Sequence, residues 1–201
     1  MSVLGLDIGP NLCRGLLVSA TGGVWARVQQ RYGGGTTGDC QLDARAVWQA
    51  VRRLLAQAAD ASRQDPITAL AISASGDAVV PLSLEGEPLM PCILGNDVRG
   101  AGYAEQARTL IGPERYYDLT GRLTGPASVL NKLCWIRDHA PGVYRETARF
   151  CTLGGFVAHQ LGVSSATDRT QASATQLLDV NQVDWAAEVL RACALDAGKL
   201  P

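Results

Sequence analysis

The sequence predicts an α/β domain, a mixed β-sheet flanked by helices. Three observations predict it. The first 32 residues hold three strand-like runs separated by tight turns. An amphipathic helical stretch follows between Asp43 and Ser62. Short apolar runs and then helical patterns occupy the remainder. A chain of 201 residues can bury a core of its own, but it is too short for two large lobes.

Taken in order, Val3 to Ile8 is a first strand and Leu12 to Ser19 a second, joined through Gly9-Pro10-Asn11. Thr21-Gly22-Gly23 turns the chain into a third, Val24 to Tyr32, completing an antiparallel meander. Alternation in that strand predicts Val24, Ala26 and Val28 on one side and Trp25, Arg27 and Gln29 on the other. Gly33-Gly34-Gly35-Thr36-Thr37-Gly38 reads as a flexible loop. Asp43 is placed to cap a helix reaching about Ser62, with Val47, Val51, Leu54, Leu55 and Ala58 on one face. Asp65-Pro66 ends it. Ile67 to Ala74 reads as a buried strand and Ala78 to Leu84 as another, with Glu85-Gly86-Glu87-Pro88 as the turn behind it. Residues 100 to 120 read as helix broken at Gly112-Pro113. Further helices are expected over Leu130 to His139, closed by Ala140-Pro141, over Phe156 to Leu161, closed by Gly162, and over Trp185 to Leu195. There is no internal repeat.

Composition narrows the function classes. A net charge of -1, with 47% hydrophobic and 18% charged residues, describes an ordinary soluble globular protein. It argues against a nucleic-acid or membrane partner. No apolar run is long enough to span a bilayer, and the N-terminus lacks the basic and apolar regions of a signal peptide. Cys13, Cys40, Cys92, Cys134, Cys151 and Cys193 are scattered without a Cys-x-x-Cys pair, so reduced thiols in a cytoplasmic protein are expected. His139 and His159 are read as structural.

Four stretches could carry chemistry. Asp7-Ile8-Gly9 sits at a strand end before a hairpin turn. A carboxylate there can hold a hydrated Mg2+, and the glycine lets a phosphate approach backbone N–H groups. The same tripeptide also serves as plain turn chemistry. Ser75-Gly76-Asp77 follows a strand, where α/β folds build binding sites, although an ordinary loop fits as well. In Asn96-Asp97-Val98-Arg99, Asp97 could accept hydrogen bonds from sugar hydroxyls with Arg99 orienting it. Helix capping by Asn96 or Asp97 is the other reading. Lys132 and Trp135 lie three residues apart near one helical face. The tryptophan suits either a sugar-stacking platform or the core.

The order and spacing of these stretches carry a resemblance. The chain resembles the N-terminal domain of the FGGY family of carbohydrate kinases, most closely its xylulokinase-like members, over essentially all 201 residues. The family's opening strand, Asp-x-Gly-Thr and a basic residue seven positions after the Asp are similar to Asp7 through Arg14. Its sugar-contacting tripeptide and its Asn/Gln-Asp with a nearby Arg are similar to Ser75-Gly76-Asp77 and Asn96-Asp97-Val98-Arg99. Pro126 through Trp135 follows its Pro-x(5)-Lys-Leu-x-Trp pattern. Thr167-Asp168, Ala172-Ser173, Asp179 and Trp185 match a further set, read as architectural.

The resemblance implies a ribonuclease H-like fold of the actin-like ATPase type. It implies transfer of the ATP γ-phosphate to a sugar or polyol, with a ketopentose such as xylulose as first candidate. ATP phosphates and Mg2+ would meet Asp7, Gly9, Asn11 and Arg14, with Asp7 holding the metal through water. Gly76, Asp77, Asn96, Asp97 and Arg99 would meet the substrate. Residues 1–201 would form the N-terminal, sugar-binding domain, without the C-terminal ATP-binding domain and inactive alone. The general base is expected beyond 201, so no catalytic residue is assigned. A homodimer is compatible with the family.

The chain departs from the pattern at three places. Pro10 replaces the phosphate-loop threonine, removing a hydroxyl and an N–H. Gly95 replaces a tryptophan, and Gly76 and Asp77 replace the Met and His of xylulokinase-like members. Asp77 matches an acidic position of glycerol-kinase-like members. These departures keep a second reading open, a non-catalytic sugar-binding or regulatory protein on the same fold. An interaction-only actin-like domain is a third.

Overall fold

The computed structural model describes residues 1–32, 36–37, 40–164 and 166–201. The glycine loop expected over residues 33–38 lies outside the described residues, apart from Thr36 and Thr37. The chain divides into two compact units, Met1–Ser75 and Gly76–Pro201. Among the described residues no helix is long and apolar enough to cross a membrane.

The first unit opens with the expected meander. β1 (Ser2–Ile8), β2 (Leu12–Ser19) and β3 (Val24–Arg31) are joined antiparallel. Two short strands, β4 (Thr36–Thr37) and β5 (Gln41–Leu42), pair with each other before α1 (Ala44–Ala61). Asp43 caps α1 by accepting from the Arg45 N–H. β6 (Ile67–Ala74) then lies parallel to β1, giving the order β3-β2-β1-β6.

One face of this sheet is covered. Leu4, Leu6, Ile8, Cys13 and Leu17 are buried with Val47, Val51 and Leu54 of α1. Each of the leucine, isoleucine and valine side chains contributes roughly 1.5–3 kcal/mol on burial. Gly15 makes the close fit possible, because a Cβ there would lie 2.8 Å from both Leu54 Cδ2 and Val28 Cγ2.

Two expectations fail in this unit. β6 was expected to be buried, but it is exposed along most of its length and Leu70 keeps 36% of its surface open. The reason is position: β6 is the last strand of its sheet, and α1 packs over β2 and β3. Val24 was expected to share a face with Ala26 and Val28. A bulge leaves Leu17 opposite Ala26 but Val18 opposite Val24, so Val24 turns to the face of Leu16 and Arg14.

The second unit surrounds a small antiparallel sheet in which β7 (Val79–Leu82) lies between β8 (Cys92–Ile93) and β9 (Arg149–Thr152). α2 (Tyr103–Ile111) and α3 (Pro113–Thr120) meet at the expected break, where Gly112 has φ +98° and Pro113 starts the next helix. α4 (Val129–His139) passes through the core, burying Leu130, Leu133, Cys134 and Ile136 with Tyr116, Leu119, Phe150 and Leu190. α5 (Pro141–Glu146) was not expected. Pro141 looked like a stop, yet it occupies the first turn of a new helix, where a missing N–H costs nothing.

α6 (Leu153–Gln160) begins earlier than Phe156, because Thr152 caps it by accepting from Gly155 N–H. α7 (Arg169–Ala174) was also unexpected and is capped by Asp168. A short hairpin of β10 (Leu178–Asp179) and β11 (Asp184–Trp185) precedes α8 (Ala187–Ala192), which is shorter than the stretch from Trp185 to Leu195. None of the six cysteines is in a disulfide among the described residues, and all but Cys40 are buried.

Candidate functional site

The sequence-predicted residues fall into two groups, one in each unit. In the first unit Asp7 is the penultimate residue of β1, on the uncovered sheet face, between the buried Leu6 and Ile8. Strand register places Ser73, Asp7, Arg14 and Gln29 in one row across that face. Arg14 Nη1 reaches Asp7 Oδ2 at 3.4 Å, and the two side chains remain 63% and 51% exposed, so the pairing is loose. A concavity of about 670 Å³ runs from this row along the face, past Gly5, Leu16, Arg27 and Ala71.

The β1–β2 turn is closed on itself. Gly9 N–H donates to Leu12 C=O at 3.1 Å, and a Cβ on Gly9 would stand 3.3 Å from the same oxygen. The glycine therefore permits a tight hairpin, and its N–H is already engaged. Pro10 has none to offer. Asn11 is exposed at the tip. Tyr32 braces the turn, its hydroxyl donating to Gly9 C=O at 2.9 Å and its N–H to Asn11 C=O at 3.4 Å. Sequence reasoning passed over Tyr32, whose partners lie more than twenty residues away.

In the second unit Asp97 and Arg99 form a fork. Arg99 Nε lies 2.9 Å from both Asp97 oxygens and Nη2 2.7 Å from Oδ2, while Arg99 N–H donates to Oδ1 at 2.8 Å. The side chains are only 7% and 16% exposed. Burial pushes the Asp97 carboxyl up. The Arg99 hydrogen bonds, its charge and that of Lys132 outweigh burial and hold the pKa below the ordinary value. The helix-capping alternative does not hold: α2 starts at Tyr103 with Gly102 at its cap. Asn96 is exposed.

α4 grips these loops from behind. Ser128 caps it by accepting from Asn131 N–H. Lys132 is fully buried, and its Nζ donates to Asp77 C=O at 2.6 Å, to Ala127 C=O at 2.7 Å and, longer, to Gly95 C=O at 3.5 Å. Burial pushes its pKa down, and Asp77, Asp97 and Cys92 hold it up part of the way. One turn on, the Trp135 ring lies 4.8 Å from the Arg99 guanidinium carbon and stacks on His139 at 5.1 Å. Trp135 is therefore a rest for Arg99 packed against the core, not a free sugar platform.

Gly100, with φ +71°, allows the close approach: a Cβ there would lie 2.5 Å from Asn131 C=O and 3.0 Å from Trp135 Cβ. Gly76 packs near Gln171 and Ala174, a Cβ there lying 3.1 Å from Gln171 Oε1. Asp77 offers a half-buried carboxylate with no hydrogen-bond partner among the described residues. The loops carrying Asp77 and Asn96-Asp97-Arg99 thus converge on one ammonium group.

The set read as architectural behaves so. Asp168 caps α7, Ser173 Oγ donates to Thr170 C=O, and Asp179 Oδ1 accepts from the N–H groups of Asn181 and Gln182. Trp185 Nε1 donates to Pro201 C=O at 3.1 Å. His159 lies against Gly86.

Comparison with known proteins decides the family. The model of the FGGY family of carbohydrate kinases, N-terminal domain, matches residues 2–201. This chain belongs to that family. Among its curated relatives is a xylulose kinase of Streptomyces coelicolor, 30% identical over 99% of this chain and 41% of its own length. A gluconokinase of Bacillus subtilis is 25% identical over 94% of this chain and 37% of its own. The FGGY chain thus spans about two fifths of the length of these relatives. The crystal structure of xylulose kinase from Rhodospirillum rubrum superposes with a TM-score of 0.88, covering 100% of this chain and 42% of that one at 24% identity. The expected fold class, a mixed α/β architecture of the actin-like ATPase type, is the fold observed.

Proposed function

We propose that this FGGY chain is the N-terminal, sugar-binding part of a kinase that transfers the ATP γ-phosphate to a hydroxyl of a small sugar or polyol, with a ketopentose such as xylulose as first candidate. One observation carries the reading. Asp97 is nearly buried yet held ionised by Arg99, in a loop that also presents Asn96 and is tied to the loop of Asp77. Carboxylates accept hydrogen bonds from hydroxyls, the Asn96 amide both donates and accepts, and Arg99 donates, which suits a ligand carrying several hydroxyls. Gly76 keeps the backbone beside Asp77 free of a side chain, and Gly95 does the same beside Asn96.

For the nucleotide, Asp7, Asn11 and Arg14 would face the phosphates, with Gly9 shaping their turn. A single half-exposed carboxylate fits Mg2+ held through water, since that ion keeps waters and takes one or two carboxylates plus phosphates. Among the described residues there is no group of three ligating side chains that would form a full metal cage. When bound, the ion would offset phosphate charge. Arg14 and the Asn11 amide would donate to phosphate oxygens. No general base is assigned within residues 1–201.

The test is ADP release by the full-length gene product with Mg-ATP and a panel of pentuloses, hexuloses and polyols. Sugar-dependent turnover is expected. A folded protein that turns over with none of them would sink the kinase reading. Pro10 and the engaged Gly9 N–H favour a second reading, a non-catalytic sugar-binding protein. Saturable sugar binding without Mg-ATP binding would support it.

A further inference from the structure

We propose that Lys132 is a positioning residue, one buried cation that sets the spacing between the Asp77 loop and the Asn96–Arg99 loop. The inference rests on the reading of these loops as the sugar site. Lys132 is fully buried on α4, and its side chain ends among three main-chain oxygens from three separate segments. An ammonium has three N–H donors and no acceptor, so it matches those oxygens one for one. A neutral amine would leave one oxygen unmet. An apolar residue of the same length would leave all of them without the donor that now meets them, beside a fully buried side chain.

Backbone tethers alone do not make a positioning residue; what lies beyond them does. The Asp77 oxygen belongs to a residue whose carboxylate faces the proposed ligand. The Gly95 oxygen precedes Asn96 and Asp97 directly. The same ammonium acts electrostatically on Asp77 and Asp97, while Cys92 and Arg99 complete its charged and titratable surroundings. Burial drives the Cys92 thiol up to about 12, so it stays neutral. One turn further along α4, Trp135 supports Arg99, and Arg99 holds Asp97. A single helix thus fixes one loop through its backbone and the other through both backbone and side chain.

The test uses Lys132→Met in the full-length gene product, with Lys132→Gln as the second variant should the first fail to fold. Two readouts are taken. The first is KM for Mg-ATP and for the best substrate among xylulose, gluconate and glycerol. A rise of about tenfold or more in sugar KM, with ATP KM held within about twofold, is the expected split. An unchanged sugar KM, or both constants rising together, overturns the proposal. The second readout needs no activity: amide hydrogen exchange at Asp77–Ala78 and Gly95–Arg99. Both segments are expected to exchange at least about tenfold faster, with the amides of β1 to β3 unchanged. Exchange that is unchanged, or that rises evenly across the chain, overturns it. If the wild-type protein phosphorylates none of the three compounds, the exchange result alone decides the role of Lys132, and the kinase reading stands or falls on the wider panel.

Discussion

Asp97→Ala removes one side of a fork whose other side stays behind. Arg99 would lose its side-chain contacts of 2.7–2.9 Å to the carboxylate while remaining 16% exposed. Stranding a fully buried charge costs about 3–5 kcal/mol. Here the guanidinium keeps its rest on Trp135 and some access to water, which reduces the expected loss to about 2–4 kcal/mol. That corresponds to a melting temperature lower by roughly 5–15 °C. The sign with pH follows from the lowered carboxyl pKa. Its stabilisation is present in full above the unfolded-state value of about 3.9 and fades as pH falls through the folded-state value. Urea unfolding of the chain, followed by tryptophan fluorescence, should therefore show a gap between wild type and variant near about pH 7 that narrows below about pH 4. A variant as stable as wild type at neutral pH would refute the reasoning, and so would a gap that persists undiminished in acid.

Gly100→Ala should cost about 1–3 kcal/mol, because φ is +71° and the new Cβ would press on Asn131 C=O; an unaltered denaturation midpoint would remove the close approach as a constraint. Asp7→Asn should leave stability within about 0.5 kcal/mol, since its ion pair is long and exposed, yet raise the Mg-ATP requirement of the full-length protein several-fold; unchanged kinetics would take Asp7 out of the nucleotide site. The Cys92 thiol, raised to about 12 by burial, should resist iodoacetamide at about pH 8.5 until the chain is unfolded in urea. Peptide mapping that finds Cys92 labelled in the native protein would contradict its burial.

Local signals in the sequence were strong where structure is local. The meander of β1 to β3 follows from its turn residues, and α1 follows from Asp43 and the spacing of Val47, Val51 and Leu54. Misreadings arose where one residue has two uses. Pro141 ends one helix and begins another, and Asp168 caps a helix too polar to show an apolar stripe. Val24 was misplaced by a bulge, which shifts the alternation without leaving a mark in composition. β6 looks buried by its letters, because Ile67 to Ala74 is apolar, but burial depends on what packs against a strand.

At the candidate site, Asp77, Asp97 and Arg99 were legible through spacing and resemblance. The fork between Asp97 and Arg99 is a contact over two residues and could be anticipated. The burial of Lys132 could not: a lysine on a helix reads as surface, and its partner Asp77 lies 55 residues away in sequence. Only the folded chain brings a main-chain oxygen to meet it.

Lys132 holds main-chain oxygens, and this bears on how the protein can evolve. Every residue type carries a backbone carbonyl, so positions 95 and 127 can change identity without weakening the grip. Position 77 is different in one respect: its carbonyl is held whatever the side chain, but its carboxylate contributes to the charge balance around the ammonium. A lineage can therefore replace the groups that meet a ligand one at a time while the frame beneath them persists. The cost of adopting a new ligand then falls on side chains at the rim, and the inherited architecture does not have to be rebuilt for each.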